Sequence, residues 1–295
     1  MLIVTWPTKV HESFKWIIKS LEDATKARPQ FVSETNTPIP FISGPHKGGS
    51  ITPDFAFGKN TSSDDTLYSI IVESAFRQSP KNLEETATKH LTCPEVACVI
   101  GLNFDTPSFT YPSPSPTPVP DLSFNDLKAG AKVSLRGGVK FRGTTWAPPI
   151  KGIQLTIWFK KQGTVVTVDK MAWDITPIEN DTRHPDLRKR HSEIVNLIRK
   201  ISCAVIDKST FKLIYPDKDS FNIDWEGFYD DIDRRLLSDA FRRWLKWAFD
   251  RSPTLASPNE PTVKINDLGA SDVKERTRPR LRIRSQEHRL DLQAR

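Results

Sequence analysis

Cysteine is scarce in this sequence, and long apolar runs are missing from it. Only three of the 295 residues are cysteines, Cys93, Cys98 and Cys203, without a CxxC pair or a histidine at zinc-finger spacing. Neither a disulfide framework nor a structural zinc site is indicated, so we expect buried free thiols. No segment reaches the ~18 apolar residues of a membrane helix, and the opening MLIVTW is too short for a signal-peptide core. We therefore expect a soluble intracellular protein, of nucleus or cytoplasm, with no membrane partner.

Phosphate-binding glycine motifs are absent as well. The 13 glycines form neither GxGxxG nor the GxxxxGK motif that ends in Ser or Thr, which argues against a loop that cradles a nucleotide phosphate.

The chain carries a net positive charge, with 43 Lys and Arg against 36 Asp and Glu, a formal charge of +7 and a pI near 9.2. This balance favours an anionic partner such as DNA or RNA. A hydrophobic content of 37% is sufficient for a large core.

Hydrophobic periodicity predicts an α/β order in the first third of the chain. We expect a helix, a proline-rich loop over 28–50 with at most short extended pieces, a two-stranded hairpin, a second helix and a buried strand beside the hairpin. Apart from the loop, these elements are predicted in turn over residues 8–25, 51–58, 67–76, 79–91 and 95–104.

Proline dominates the next segment. Six prolines in residues 106–120 exclude a helix interior or a strand ladder and predict a surface loop or an interdomain linker. Beyond it, further strands are expected within 131–143, 153–162 and 163–175, and helices within 184–206 and 230–252.

These elements predict an α/β (α+β) protein. We expect one domain over residues 1–251, with a core near 8–104 and elaborations over 121–251. Residues 252–295 lose aromatics and gain proline and charge, so a basic, disordered tail is expected there.

Two acids stand in segments that otherwise have the composition of a core. Asp54 opens the strand PDFAFG, and Glu73 lies inside the strand IIVESAF. A charge in such a segment is costly unless it is solvated, paired or bound to a metal. If the strands pair as an antiparallel hairpin, both carboxylates converge near one end of the sheet, where a divalent cation would relieve their repulsion. Without a metal, Asp54 would be a turn acid, and Glu73 would pair with Arg77 or another basic residue.

Strand alternation assigns a face to each acid. Asp54 lies on the side opposite Phe55 and Phe57, which we expect to take the core. Glu73 shares its side with small residues such as Ala75, and this would leave space for a ligand.

The acid pair carries a resemblance to a known family. Pro53 and Asp54, followed nineteen positions later by Glu73, with a helix before and a helix and strand after, resemble the restriction-endonuclease-like PD-(D/E)XK superfamily. More narrowly, the Glu73 strand, the RQS ending at Ser79 and the helix beyond it resemble a group of uncharacterised fungal proteins of that fold. The resemblance covers about residues 8–104. It implies a restriction-endonuclease-like core, in which a mixed central sheet is flanked by helices.

The resemblance also implies a metal site. Asp54 and Glu73 would ligate Mg²⁺ or Mn²⁺, and the backbone carbonyl of Ser74 would complete the protein ligands. An acid of the first helix, Glu12 or Glu22, is implied as an assisting group, and the sequence does not choose between them.

The chain departs from the family at the lysine expected two residues after the glutamate, where it has Ala75. In active members that lysine helps to orient or deprotonate the attacking water and offsets charge on the phosphate. Arg77 shares the strand face and would supply positive charge, but it is no general base, because an arginine pKa stays above ~12. Gln78 would position water.

Two histidines form a possible cluster in the second half of the chain. His184 and His191 are seven residues apart on one helical face, and without further ligands they are expected to be solvated helix residues.

A basic and aromatic helix face could bind nucleic acid, although ordinary helix packing is favoured there. This face consists of Arg242, Arg243, Trp244, Lys246 and Trp247. The tail has arginines at alternate positions, which would bind phosphate backbones or act as a nuclear import signal. They are Arg276, Arg278, Arg280, Arg282 and Arg284. The alternative, a solvated tail without a partner, is equally consistent with the sequence.

Three functions follow from these residues. The first is a divalent-metal-dependent nuclease or phosphodiesterase, a hydrolase in which Asp54 and Glu73 hold the metal and Arg77 stabilises charge on the phosphate. The second is a catalytically inactive nuclease-fold module that binds nucleic acid or a protein. The third, an interaction protein without metal, follows if Asp54 and Glu73 each have a separate partner.

Overall fold

The described residues of the computed structural model belong to one compact unit, Met1–Ser252. They are residues 9–40, 44–45, 47–61, 65–76, 79–111, 123–161, 167–178, 181–217 and 219–249. The predicted arginine tail and most of the proline-rich segment, residues 112–120, lie outside the described residues.

Six α-helices are described, after a 3-10 helix at Lys9–Phe14. They are α1 (Lys15–Ala27), α2 (Pro80–Leu91), α3 (Phe124–Gly130), α4 (Pro185–Ile206), α5 (Lys208–Ile214) and α6 (Trp225–Phe249). None of these helices is long and apolar enough to span a membrane.

The strands of the first half of the described chain are β1 (Phe31–Glu34), β2 (Ile39–Pro40), β3 (Ser50–Ile51), β4 (Phe55–Asn60), β5 (Thr66–Phe76) and β6 (Cys98–Asp105). Those of the second half are β7 (Lys132–Ser134), β8 (Gly138–Phe141), β9 (Thr144–Ala147), β10 (Gly152–Lys161) and β11 (Thr167–Asp174).

The central sheet has six strands in the order β1-β4-β5-β6-β10-β11. Strands β4 and β5 form the expected antiparallel hairpin, and β6 lies parallel to β5. A parallel neighbour requires a crossover, and helix α2 supplies it. The remaining neighbours pair antiparallel. The mixed central sheet flanked by helices, and the α+β class, are therefore confirmed.

Each face of the sheet packs against different helices. Phe55 and Phe57 point into the larger core, which also contains buried residues of α1, α4 and α6. Ile71 and Ala75 point into a smaller core formed with α2 and with Trp158 of β10. The strand parity predicted for Phe55 and Phe57 is thus confirmed, and Glu73 belongs to the face that α2 covers.

Local sequence explains helix α2. The Ser79 hydroxyl accepts a hydrogen bond from the backbone N–H of Asn82 at 3.2 Å, and Pro80 occupies the first helical position. The buried residues repeat at helical spacing: Leu83, Ala87, His90 and Leu91. This stripe fixes which side of α2 faces β5.

Several elements differ from the sequence prediction. Helices α3 and α5 and strand β9 lie outside the predicted elements. Residues 28–50, expected to be loop with at most short extended pieces, contain β1, a four-residue edge strand of the main sheet that pairs with β4. The prolines at 29 and 38 bracket this strand rather than interrupt it, and an edge position tolerates such neighbours. Helix α6 begins at Trp225, five residues before the predicted start at 230. The three cysteines are free, and Cys93 and Cys98 are buried as expected, whereas Cys203 is partly exposed.

Candidate acidic site on the central sheet

The hairpin register places the two acids side by side. Phe55 pairs with Val72, so the same register extended by one residue sets Asp54 opposite Glu73. Asp54 lies just before β4, and its Oδ2 accepts a hydrogen bond from the backbone N–H of Ser74 at 2.6 Å. That bond holds the Asp54 side chain against the strand that carries Glu73.

Glu73 has a buried histidine as its partner. Nε2 of His90, on helix α2, lies 2.7 Å from Oε1 of Glu73. The His90 side chain is 1% exposed, and that of Glu73 is 15% exposed. The interpretation that Glu73 pairs with a basic residue is therefore supported, with His90 in the place expected for Arg77 or another cation.

His90 also corrects the expectation of open space beside Glu73. Ala75 is fully buried, and α2 packs on this face with Leu83 and Ala87. The imidazole of His90 occupies part of the volume that the small residues leave. Its Nδ1 is buried without a hydrogen-bond partner among the described residues. The tautomer with hydrogen on Nε2 fits this position, because it leaves no buried N–H unpaired.

Burial governs the charge state of Glu73. Its removal from water raises the pKa of the Glu73 carboxyl, and the Asp54 charge adds to this effect. The hydrogen bond from His90 partly opposes it, as does the positive charge of the imidazole whenever that ring is protonated. The effect of Asp54 on this pKa follows from the closeness of the two acids. Two carboxylates in one site, one of them largely buried, form an arrangement that a cation stabilises.

Ala75, which stands where the resemblance would place a lysine, is closed off from solvent. It is completely buried and belongs to the smaller core, together with Leu83 and Ala87 of α2. A methyl group there supplies neither charge nor a proton acceptor. Arg77 and Gln78, which would compensate for it, lie outside the described residues.

The helical acids implied by the resemblance have other neighbours. Glu12 Oε2 accepts a hydrogen bond from Nη1 of Arg235 on α6 at 2.6 Å. Burial raises the pKa of Glu22, and the charges that act on it are those of Lys26, Asp23 and Lys15. Helix α1 packs on the larger core, on the sheet face opposite Glu73. The structure therefore does not bring Glu12 or Glu22 to the acid pair.

The basic and aromatic face of α6 is used in packing. Trp244 is buried, and Trp247 packs edge-on against Trp146 at a centroid distance of 5.4 Å. Arg243 donates to the Trp146 carbonyl oxygen at 3.4 Å, and Arg242 lies 3.8 Å from the Asp239 carboxylate. The favoured interpretation of this face as ordinary helix packing is confirmed.

His191 departs from its predicted surface position. It is buried, stacks on Trp225 at 4.0 Å, and its Nε2 lies 3.0 Å from the Tyr229 hydroxyl. That hydroxyl donates to the Ile175 carbonyl oxygen, so it accepts from His191. Burial lowers the pKa of His191 to about 4, and the ring is neutral near pH 7. His184 instead caps the N-terminus of α4.

His90 is the site residue that sequence reasoning missed. Its sequence signal was the helical stripe: His90 follows Leu83 by seven residues and Ala87 by three, so it shares their buried face. A buried polar side chain needs a partner, and the facing strand offers Glu73. Strand alternation predicts the face of β5 that carries Glu73, but it does not predict that the crossover places α2 over that face.

The donor set at this site suits a hard divalent cation. Glu73 Oε2 has no hydrogen-bond partner among the described residues, and part of its side chain is exposed. No group of three or more His, Cys, Asp or Glu side chains in the described part of the chain is arranged to hold a metal. The protein would thus supply two carboxylates, and a cation would take its other ligands from the backbone and from water.

Comparisons of the chain with protein-family models, with curated proteins and with solved structures give no match.

Proposed function

We propose that this protein is a divalent-metal-dependent phosphodiesterase of PD-(D/E)XK type that acts on nucleic acid. One observation carries the proposal: the antiparallel register sets Asp54 opposite Glu73, with Asp54 held to the next residue, Ser74. The helix before the hairpin, and the helix and parallel strand after it, support the same proposal.

Asp54 and Glu73 would hold Mg²⁺ or Mn²⁺, with the backbone carbonyl of Ser74 as a further ligand. When bound, such a cation stabilises negative charge on a phosphate and activates water for attack. The Ser74 N–H fixes the orientation of Asp54, and His90 fixes Oε1 of Glu73, which leaves Oε2 for the cation. Arg77 would stabilise charge on the phosphate, and Gln78 would position the attacking water.

A second function is favoured by the buried Ala75. Without a lysine at this position, the fold would serve as a module that binds nucleic acid without cleaving it. The basic formal charge of +7 supports binding in either case. The two functions differ in one property, because only the phosphodiesterase needs the acid pair for its activity.

A cleavage assay tests the first function. Single-stranded circular DNA and a labelled RNA are incubated with the full chain in Mg²⁺, in Mn²⁺ or in EDTA. We expect cleavage that requires a metal and falls about a hundredfold or more in Asp54→Asn and in Glu73→Gln, since each removes a charged ligand. These substitutions preserve side-chain shape. Burial already disfavours the charged form of Glu73, so the uncharged glutamine resembles the form of the side chain that burial favours.

The matched control removes two acids elsewhere. Glu85, on the exposed side of α2, and Asp169, partly exposed on β11, are replaced together by Gln and Asn. This variant should cleave as the wild type does. Cleavage that persists in EDTA, or that is equal in all variants, would contradict the proposal, and binding without cleavage would favour the second function.

A further inference from the structure

A polar cleft of about 780 Å³ lies between α1, α4 and residues 219–226. None of its lining residues belongs to the acid pair or to α2. One row of α4 forms a long wall, with Arg188, Ser192, Val195 and Arg199 at successive turns. Lys19 of α1 lines the same cleft.

The cleft contains basic side chains that form no ion pair with another described residue. The ion pairs of the described residues include none with Arg188, Arg199 or Lys19. Four acids also line it. Glu226 pairs with Arg183 and Asp23 pairs with Lys26, whereas Asp224 accepts only the Gly227 N–H, which leaves its charge in place. Among the described residues, three cations without an ion pair therefore face two such acids, Asp219 and Asp224, and one of the cations, Lys19, lies over the Trp16 ring at 5.5 Å.

The charges are spread along the cleft. Arg188 and Arg199 are eleven residues apart, which corresponds to about 16 Å along the axis of α4. Ser192 and Asn196 are exposed between them. A row of charge with polar groups between its ends suits a ligand that carries several phosphates in succession rather than one compact anion.

The walls of the cleft are fixed before any ligand binds. Ser20 donates its hydroxyl hydrogen to the Asn222 carbonyl oxygen at 2.8 Å, and the Tyr215 hydroxyl donates to the Ser20 carbonyl oxygen. On the floor, buried His191 stacks on Trp225 with an interplanar angle of 6°. A preformed site loses little conformational entropy on binding, so its exposed charges contribute more to the affinity.

We infer that this cleft binds the sugar-phosphate backbone of single-stranded nucleic acid, with Arg188 and Arg199 on separate phosphates of the strand and Lys19 on the facing wall. The choice of nucleic acid over another polyphosphate rests on the proposed function. Arginine guanidinium groups bind phosphate with paired hydrogen bonds, and such contacts position a strand without reading its bases.

Fluorescence anisotropy of a labelled twelve-nucleotide thymidine strand tests this inference with the full chain in EDTA. Arg188→Gln, Arg199→Gln should raise the Kd about tenfold or more and reduce the slope of log Kd against log salt by about 1.4, for two lost phosphate contacts. The control, Lys189→Gln, Lys200→Gln, removes the same charge from exposed neighbours on the same helix. It should change the Kd less than twofold, with circular dichroism showing both variants folded.

Photocrosslinking gives a readout that does not depend on affinity from other basic segments. A 4-thiothymidine strand should crosslink to peptides from residues 185–206 or 219–226, and the arginine variant should lose that crosslink. Equal weakening in both double variants, or no crosslink in these peptides, would overturn the inference. Pyrophosphate binding that depends on the two arginines, without strand binding, would overturn nucleic acid as the occupant.

The metal plays no part in this experiment, so the two proposals fail separately. Asp54→Asn, Glu73→Gln should bind the strand as the wild type does. If that variant binds and the wild type does not cleave, the phosphodiesterase proposal fails while the cleft proposal stands.

Discussion

Glu73 and His90 form a pair in which each residue compensates the other for the hydration that is lost on burial. The carboxylate has 15% of its side chain exposed and the imidazole 1%, and their contact distance is 2.7 Å. The carboxylate would otherwise lose hydration without compensation, and the imidazole N–H would lack an acceptor. The pair therefore serves stability whether or not a metal binds.

His90→Ala should lower the free energy of unfolding by about 2–4 kcal/mol, because it leaves Glu73 buried without its partner and opens a cavity. Urea unfolding followed by circular dichroism measures the change, and Lys89→Ala on the exposed side of α2 serves as control. In a Glu73→Gln background the loss should be smaller, since no charge remains to be stranded. An equal loss in both backgrounds would show that the two residues are not coupled.

Asp233 on α6 provides a pH-dependent test at the same scale. Burial, with a contribution from the Asp230 charge, raises the pKa of Asp233 to about 6 from its ordinary 3.8. Its folded form therefore binds the proton more tightly, and its contribution to stability is present below about pH 3.8 and is lost as the pH rises through 6.

Asp233→Asn should therefore stabilise the protein by about 1–2 kcal/mol at pH 8, a figure reduced from the full shift because the side chain is partly exposed. The gain should be smaller at pH 4.5. Urea unfolding at the two pH values measures it, and Asp217→Asn, at an exposed position, should show no such change. A gain that is the same at both pH values would contradict the assignment.

At the scale of elements, β6 and α2 meet at a glycine. Gly101 pairs with Glu73 across the parallel strands, and a Cβ at Gly101 would lie 2.5 Å from Cζ3 of Trp158 and 3.0 Å from Cδ2 of Leu83. The indole ring of Trp158 belongs to the smaller core and is not free to move far. Glycine thus lets the crossover helix sit close to the sheet beside the acid pair.

Gly101→Ala should cost about 1–3 kcal/mol of stability through overpacking. Gly152→Ala on β10 is the matched control, because its nearest neighbours to a new Cβ are 3.8 and 3.9 Å away. The difference in thermal midpoint between the two variants measures the effect. Similar midpoints would mean that α2 can shift away from the sheet at little cost.

At the scale of the whole molecule, periodic segments and the hairpin could be predicted from the sequence, whereas contacts between elements outside the hairpin could not. Strand β5 was expected over 67–76 and observed at Thr66–Phe76, because an alternating apolar run needs no knowledge of its neighbours. The sequence allowed short extended pieces over 28–50 but did not place β1 in the main sheet, since these four residues form a strand only when β4 is there to pair with them. Local pattern determines such elements weakly.

The same distinction applies to the candidate site. The PD spacing and strand parity predicted the acid pair, and both are properties of one hairpin. His90 and the engagement of Glu12 by Arg235 depend on contacts 17 and 223 residues apart in sequence. Such contacts follow from the order of strands and the crossover, which the sequence pattern alone does not specify.

The central claim is that Asp54 and Glu73 share a divalent cation. Isothermal titration calorimetry with Mg²⁺ and with Mn²⁺ compares the full chain with Asp54→Asn, Glu73→Gln and with the Glu85→Gln, Asp169→Asn control, while circular dichroism verifies folding. The account predicts saturable binding in the wild type and the control and none in the acid-pair variant. Folded wild type that binds no metal, or equal binding in all three proteins, would contradict it.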